Sequence, residues 1–293
     1  TTRALMKEAP DKAKVLCIGP AGENLSRIAG IMNDINRAAG RSGVGAVVGS
    51  KNLKAIVVRG TNRPQIADEG ALKDVVKRGR VKIKENGVTG SGLPTYGTNV
   101  LVNIINESGV FPTKNFQESY FDKAEMVSGE TMSEKYLIRR ESCFGCPIAC
   151  GRYTKADDIE TGGPEYETVW AFSADCGVSD MKAVIKANFW CNEMGLDTIS
   201  AGVTIATAME LYEKGLIKDE ELNGLGLKFG DGDSMVEWVK KMGRREGALG
   251  DKMADGSYRL ADSYGHPEFS MSVKKQELPA YDPRGIQGQG LQY

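Results

Sequence analysis

The sequence predicts an α/β segment at the N-terminal end followed by a mainly α-helical domain. Three observations carry this. Val15-Leu-Cys-Ile18 is a short apolar run closed by Gly19-Pro20-Ala21-Gly22, the pattern of a strand entering a turn. Leu53-Lys-Ala-Ile-Val-Val58, ended by Gly60, is a second strand candidate. After Asn62 the short apolar runs give way to apolar residues at helical spacing.

Between the two strands a helix is predicted from Asn24 to Met32, and then a glycine-rich stretch from Gly40 to Gly49. A boundary is placed in Asn62-Arg-Pro-Gln-Ile-Ala-Asp68, so that residues 1–65 close an N-terminal α/β domain. Residues 66–275 then form the helical middle domain, and residues 276–293 begin a third. Ala71–Asn86 is charged and helical, and Thr98–Glu107 sets Val100, Leu101, Ile104 and Ile105 on one helical face. Asp180–Met194, Ala201–Lys214, Ser234–Arg245 and Asp251–Tyr264 read as amphipathic helices. Gly195, Gly215 and Gly247 stand where helix C-terminal stops are expected.

Composition excludes several classes. Lys and Arg number 38 against 39 Asp and Glu, so no charge excess points to nucleic acid or a membrane surface. No apolar run approaches the roughly 18 residues of a membrane span. Six cysteines in 293 residues, three of them clustered, do not make a secreted disulfide framework, and a reducing cytosol is the expected location. The chain opens on Thr1 and stops at Tyr293 after a Gly-rich run, so it reads as an internal piece of a longer protein.

Cys143-x-x-Cys146-Pro147-x-x-Cys150 places three thiols on one tight loop. Iron–sulfur clusters are held this way, with a fourth ligand from elsewhere. A structural zinc site needs a second Cys or His pair, and the chain has one histidine, His266, in a turn-like Gly265-His-Pro267 setting. A disulfide or an unconnected cysteine cluster is the alternative. Cys17, Cys176 and Cys191 are isolated among apolar residues, as buried thiols are.

Arg37-Ala-Ala-Gly40-Arg41-Ser-Gly43-Val-Gly45-Ala-Val-Val-Gly49-Ser-Lys51 resembles a nucleotide loop but fails both tests. Ser50 separates Gly49 from Lys51, which is not a Walker A ending, and the glycine after Gly43-x-Gly45 comes too late for a Rossmann fingerprint. What remains is exposed backbone N–H plus two guanidiniums, which suits a phosphate. Otherwise the glycines serve close backbone packing. Glu165 and Glu167 in Gly163-Pro-Glu-Tyr-Glu167 fall on one face if the segment is extended. A desolvated carboxylate there would serve as a general base; the alternative is two surface glutamates. In Asn192-Glu-Met-Gly195-Leu196-Asp197-Thr198, Gly195 suits a C-cap and Asp197 an N-cap, which explains the motif without a ligand.

Taken in order, these blocks resemble the tungsten-containing aldehyde:ferredoxin oxidoreductases. The resemblance rests on Cys17-Ile-Gly-Pro-Ala-Gly-Glu-Asn24, the Arg37–Ile56 block, the Cys143–Gly151 loop and Gly163–Glu167. Gly195-Leu-Asp-Thr-Ile-Ser200 and Glu277-Leu-Pro-Ala-Tyr-Asp-Pro-Arg-Gly285 extend it, so that it runs the length of the chain. It implies that family's fold and a fragment covering about the middle half of its length. It also implies a tungsten atom held by two molybdopterin-type cofactors beside a [4Fe–4S] cluster, with room for a magnesium ion at the pterin phosphates. Cys143, Cys146 and Cys150 would be cluster ligands. Arg37, Ala38, Gly40 and Arg41 would meet the pterin phosphates, and Asn192, Leu196 and Asp197 a pterin ring. Glu167 would assist proton transfer. The implied reaction oxidises an aldehyde to a carboxylic acid and passes the electrons to ferredoxin. The rivals are a tungsten relative acting on an aromatic thioester or a sugar-phosphate aldehyde, and a non-catalytic metal-binding module.

Departures from the family pattern also carry expectations. A fourth cluster cysteine and a catalytic histidine would lie beyond Tyr293. Lys186 and Phe189 stand where some members have a Glu-x-x-His pair for a bridging iron, so a homodimer without that iron is expected. Asn192 replaces an Asp of the family pattern, which keeps hydrogen bonding and loses an anionic acceptor.

Overall fold

The computed structural model describes residues Thr1–Tyr293. A short helix α1 (Thr2–Glu8) leads into β1 (Lys14–Cys17), a single turn α2 (Pro20–Glu23), β2 (Ile31–Asn33) and β3 (Arg37–Ala39). Helix α3 (Val44–Ser50) and strand β4 (Ala55–Val58) follow. The strands form one antiparallel sheet in the order β3-β2-β1-β4, with Cys17 opposite Met32 and Ala55. Residues 59–68 form no regular element. Beyond them come α4 (Glu69–Glu85), α5 (Leu93–Tyr96), α6 (Leu101–Glu107) and α7 (Gly129–Lys135). A second antiparallel sheet, β5 (Leu137–Glu141), β6 (Gly151–Ala156) and β7 (Ile159–Gly162), has the cysteine loop between its first two strands.

The helical core follows: α8 (Tyr166–Phe172), α9 (Met181–Met194), α10 (Thr198–Glu213), α11 (Gly232–Arg244), α12 (Gly247–Met253) and α13 (Ser257–Asp262). A hairpin of β8 (Ser272–Val273) and β9 (Gln276–Glu277) and a last helix α14 (Gln287–Gln292) complete the chain. The predicted boundary after residue 275 falls at this hairpin's turn. α10 is buried without a break from Ser200 to Leu211, as the central helix of a bundle must be. Its Ile205 belongs, with Trp170, Phe172, Ile185 and Trp238 of the neighbouring helices, to one continuous apolar cluster. No helix is long and apolar enough to cross a membrane.

The two strands of the α/β part and the helices 71–86, 180–194, 201–214 and 234–245 lie where the sequence places them, within a few residues. Three expectations fail. The helix from Asn24 to Met32 is absent: α2 ends at Glu23, Leu25 is left-handed with φ 56°, and Ile31–Asn33 is a strand. Tertiary hydrogen bonds hold that segment open. Arg27 N donates to Ala254 O at 3.0 Å, Gly30 N to Gly195 O at 2.8 Å, and Ile28 O accepts from Asp197 N at 2.9 Å. Local helical spacing loses to these long-range partners. The second failure is Asp251–Tyr264, which is two helices broken at Gly256, whose φ of 87° only glycine adopts readily. The third is Gly247, which opens α12; α11 stops instead at Arg245, itself left-handed with φ 53°. Gly195 does cap α9 in the left-handed conformation, as expected.

At Gly195 the two parts of the chain touch backbone to backbone. A Cβ there would lie 2.7 Å from Gly19 N, on a residue whose φ is 73°. Gly195→Ala is therefore expected to destabilise the protein by about 2–4 kcal/mol through strain and overpacking, read as a lower denaturation midpoint. A midpoint equal to that of the wild type would show that this contact is loose.

Candidate functional site

Three separate stretches converge on one cavity of about 340 Å³. β3 and the turn after it bring Arg37, Ala38, Gly40 and Arg41. The start of α8 brings Glu167, and the junction of α9 and α10 brings Asn192, Leu196 and Asp197. All eight of the non-cysteine residues singled out in the sequence line this one cavity. Glu165, Arg152, Asn36 and Asn188 line it too.

The junction is built by capping. Asp197, buried at the N-terminus of α10, accepts hydrogen bonds from Ser200 N at 3.1 Å and Ser200 Oγ at 2.7 Å. Arg41 lies across it, Nε 3.2 Å from Asp197 Oδ2, an ion pair without hydrogen-bond alignment. The same guanidinium donates from Nη2 to Glu277 O at 2.6 Å. Burial pushes the Asp197 carboxyl upward, and Arg41 opposes the rise. Gly40 leaves room here: a Cβ on it would come within 2.9 Å of Asp197 Oδ1.

The two glutamates are not on an extended segment. Glu165 is the residue before the first turn of α8 and Glu167 lies in that turn, so the backbone bends between them. Nor are they idle surface groups. Glu165 accepts from Thr98 Oγ1 at 2.6 Å and lies 3.6 Å from Arg37 Nη1. Glu167 accepts from Ala280 N at 3.0 Å. Burial pushes its carboxyl up to about 7, with the Ala280 N–H and then Arg41 opposing and Asp197 adding to the rise. A carboxyl of this kind changes charge near neutral pH, which a proton-handling group requires.

The cysteine loop adjoins the cavity through Arg37, whose Nη2 would lie 2.8 Å from a Cβ on Gly151. Cys143 is exposed and Cys146 and Cys150 are half-buried; all six cysteines are free thiols. The three loop thiols do not converge as a set of metal ligands. The loop's backbone is fixed from below by Arg152, a fully buried side chain on β6. Its guanidinium donates to the carbonyls of Ala149 (2.8 Å), Cys150 (3.2 Å) and Gly151 (3.1 Å), and to Thr95 (2.9 Å) and Pro94 (3.0 Å) near α5. Nε is shared between two of these carbonyls, Nη1 has one and Nη2 has two, so every nitrogen of the fork is engaged.

The glycine-rich block divides. Cβ atoms at Gly43, Gly45 and Gly49 would fall 2.3, 2.3 and 1.9 Å from the carbonyl oxygens of Arg27, Gly30 and Gly22. Those three glycines serve backbone packing, and only Gly40 faces the cavity. His266 is a turn residue paired with Glu268, and Cys17, Cys176 and Cys191 are buried. Sequence reasoning missed Arg152 and Asn188, since a single buried Arg or Asn leaves no spacing signal.

Comparison with known proteins matches the same regions. The family model for the N-terminal domain of aldehyde ferredoxin oxidoreductase matches residues 1–60, and that for its domains 2 and 3 matches residues 74–293. A tungsten-containing aldehyde ferredoxin oxidoreductase of Pyrococcus furiosus is 55% identical over all of this chain, and one of Pyrococcus abyssi is 53% identical. The chain spans 49% of each of these relatives. The WOR-like subunit of an aliphatic sulfonate oxidoreductase from Pyrococcus furiosus is 29% identical over 87% of the chain and 41% of that relative. Among solved structures, the BamBC active-site complex of benzoyl coenzyme A reductase, with 1,5-dienoyl-CoA, superimposes with a TM-score of 0.78. That match has 26% identity over 95% of this chain and 44% of that one.

Two outcomes follow from the geometry. Because the folded carboxyl of Glu167 titrates near 7 and the free one near 4.5, the native state binds the extra proton in between. Its contribution to stability is therefore present below about 4.5 and lost as pH rises through about 7. Glu167→Gln should remove that loss, so denaturation midpoints of variant and wild type should diverge in the variant's favour as pH rises through this window. Arg152→Met keeps the side chain's length and leaves five carbonyls without their donor. It should raise amide hydrogen exchange in residues 149–151 at least tenfold, and unchanged protection would show the clamp to be incidental.

Proposed function

This chain belongs to the aldehyde ferredoxin oxidoreductase family, and we propose that, within a longer protein, it forms one wall of a tungsten–pterin site that oxidises an aldehyde to a carboxylic acid. The convergence of Arg37, Arg41, Asn192, Leu196, Asp197 and Glu167 on a single cavity carries this reading. The residues fit such a group. Two guanidiniums and the open Gly40 suit phosphate, the Asn192 amide and Asp197 carboxylate suit the donors and acceptors of a pterin ring, and Leu196 offers an apolar edge. When bound, the tungsten–pterin group accepts two electrons, and a [4Fe–4S] cluster passes them singly to ferredoxin.

The chain's own residues then have separate tasks. Arg41 is held by Asp197 and the Glu277 carbonyl, so its remaining donors are aimed rather than free. Arg37 sits between the cavity and the cysteine loop, 3.6 Å from Glu165, where it would meet a phosphate on one side and cluster thiolates on the other. Glu167 takes or gives a proton near neutral pH. Cys143, Cys146 and Cys150 supply three thiolates, over a loop whose carbonyls Arg152 has already engaged. The higher identity to aldehyde enzymes, 55% against 29% for the sulfonate enzyme subunit, favours an aldehyde as substrate. Six free thiols accord with a cytosolic location. At the positions of the bridging-iron pair, Lys186 is bound to Asp157 at 2.8 Å and Phe189 stacks edge-on against Trp190, so this reading includes no bridging iron.

Full-length protein purified without oxygen is expected to contain about one tungsten and four irons per chain. Cys146→Ser should lose iron and sulfide. Zinc, or iron without tungsten, would overturn the reading, as would a Cys146→Ser variant with wild-type iron.

A further inference from the structure

Ser200 stands between two carboxyl groups. Its Oγ is 2.7 Å from Asp197 Oδ2 and 2.7 Å from Glu277 Oε2. Asp197, Ser200 and Glu277 are all buried, each exposed by 5% or less. A hydroxyl carries one proton and can donate to only one of these oxygens. If both carboxyls were ionised, the other contact would be two acceptors at hydrogen-bond distance with no hydrogen between them. A buried contact of that kind is strongly unfavourable. One further proton must therefore lie along the line from Asp197 to Glu277.

We infer that Asp197, Ser200 and Glu277 share this proton and form a relay leading out of the cofactor cavity. The inference rests on the function proposed above and deepens it. Converting an aldehyde and water to a carboxylate releases two electrons and three protons, and the electrons have a separate route. Asp197 faces the cavity that also holds Glu167. On the other side, Ser200 and Glu277 line a second cavity of about 710 Å³, between α3, the Leu25–Ile28 segment and the β8–β9 hairpin. The trio is the partition between the two.

A row of serines holds the other oxygen of Glu277. Its Oε1 accepts from Ser257 N and Ser257 Oγ, each at 2.9 Å. Ser257 Oγ is 2.8 Å from Ser270 Oγ, which is 2.8 Å from Ser272 Oγ. Ser257 is buried and the last two serines are half-buried, so the chain of hydroxyls climbs toward solvent. In each passage a proton on Asp197 bonds to Ser200 Oγ as the hydroxyl's own proton moves to Glu277. At Ser200 Oγ one O–H bond breaks and one forms, Glu277 Oε2 gains the proton and loses it to water in the second cavity, and the Ser200 hydroxyl turns back toward Glu277. Asp197 is then free to take another. Arg41 holds both ends, with Nε beside Asp197 and Nη2 on the Glu277 carbonyl. The upward push on Asp197, led by burial and reinforced by Glu277, agrees with a retained proton.

The test uses the full-length holoenzyme. Infrared spectra at neutral pH, in H₂O and D₂O, should show a protonated-carboxyl stretch in wild type that Glu277→Gln removes, since a glutamine amide can donate to Ser200 without an extra proton. Ser200→Ala should slow aldehyde turnover about tenfold or more with tungsten and iron content unchanged, and Ser200→Thr, which restores the hydroxyl, should recover most of it. A spectrum in which Glu277→Gln removes no protonated carboxyl overturns the shared proton. Wild-type turnover in Ser200→Ala overturns the relay. If the holoenzyme oxidises no aldehyde yet shows the band, the shared proton stands and the proposed function falls.

Discussion

The backbone contact between residues 27–30 and the turn Gly195–Asp197 is the constraint on which the site depends. Two hydrogen bonds, Gly30 N to Gly195 O and Asp197 N to Ile28 O, lock the antiparallel sheet of β1–β4 to the junction of α9 and α10. This junction can be approached so closely because Gly19 and Gly195 carry no Cβ to keep the chains apart. Once it is made, β3 delivers Arg37 and Arg41 opposite Asp197 and the first turn of α8. Cationic side chains from one part of the chain thereby face carboxyls from the other, and neither part holds the cavity alone.

That arrangement explains why the acids of the site differ from the acids of the surface. Asp157 is an exposed residue between Lys186 and Lys182, and these partners hold its carboxyl down at about 2. Glu167 and Asp197 have a guanidinium nearby as well, yet burial outweighs it and both are pushed up. Desolvation is the larger effect on these two carboxyls, so each holds a proton more readily than a surface acid does.

Much of this was legible in sequence where a residue type and a spacing together required one conformation. Gly195 followed by Asp197 specified a helix stop and a helix start, and both are present. The Arg37–Lys51 block offered an anion-facing segment or close backbone packing, and Gly43, Gly45 and Gly49 serve packing against residues 22–30. The helix expected from Asn24 to Met32 failed because partners from Gly195 and Ala254 take its backbone groups, and a local pattern carries no record of partners so far along the chain. Glu165 and Glu167 were marked as a pair, but their bend into α8 was not. Arg152 escaped notice altogether, and Glu277 was marked only as the start of a family-like block. Each is a single buried ionic side chain, whose role is set by the carbonyls and hydroxyls that the fold assembles around it.

The Arg152 clamp bears on electron movement. A guanidinium bonded to five carbonyls on two segments cannot shift without breaking several charge-assisted bonds at once. The end of the cysteine loop at residues 149–151 therefore has little room to relax when charge is added or withdrawn. A donor or acceptor seated on such a loop would meet an environment already arranged for both of its charge states, and small reorganisation on either side of a transfer is what lets single electrons pass quickly in both directions.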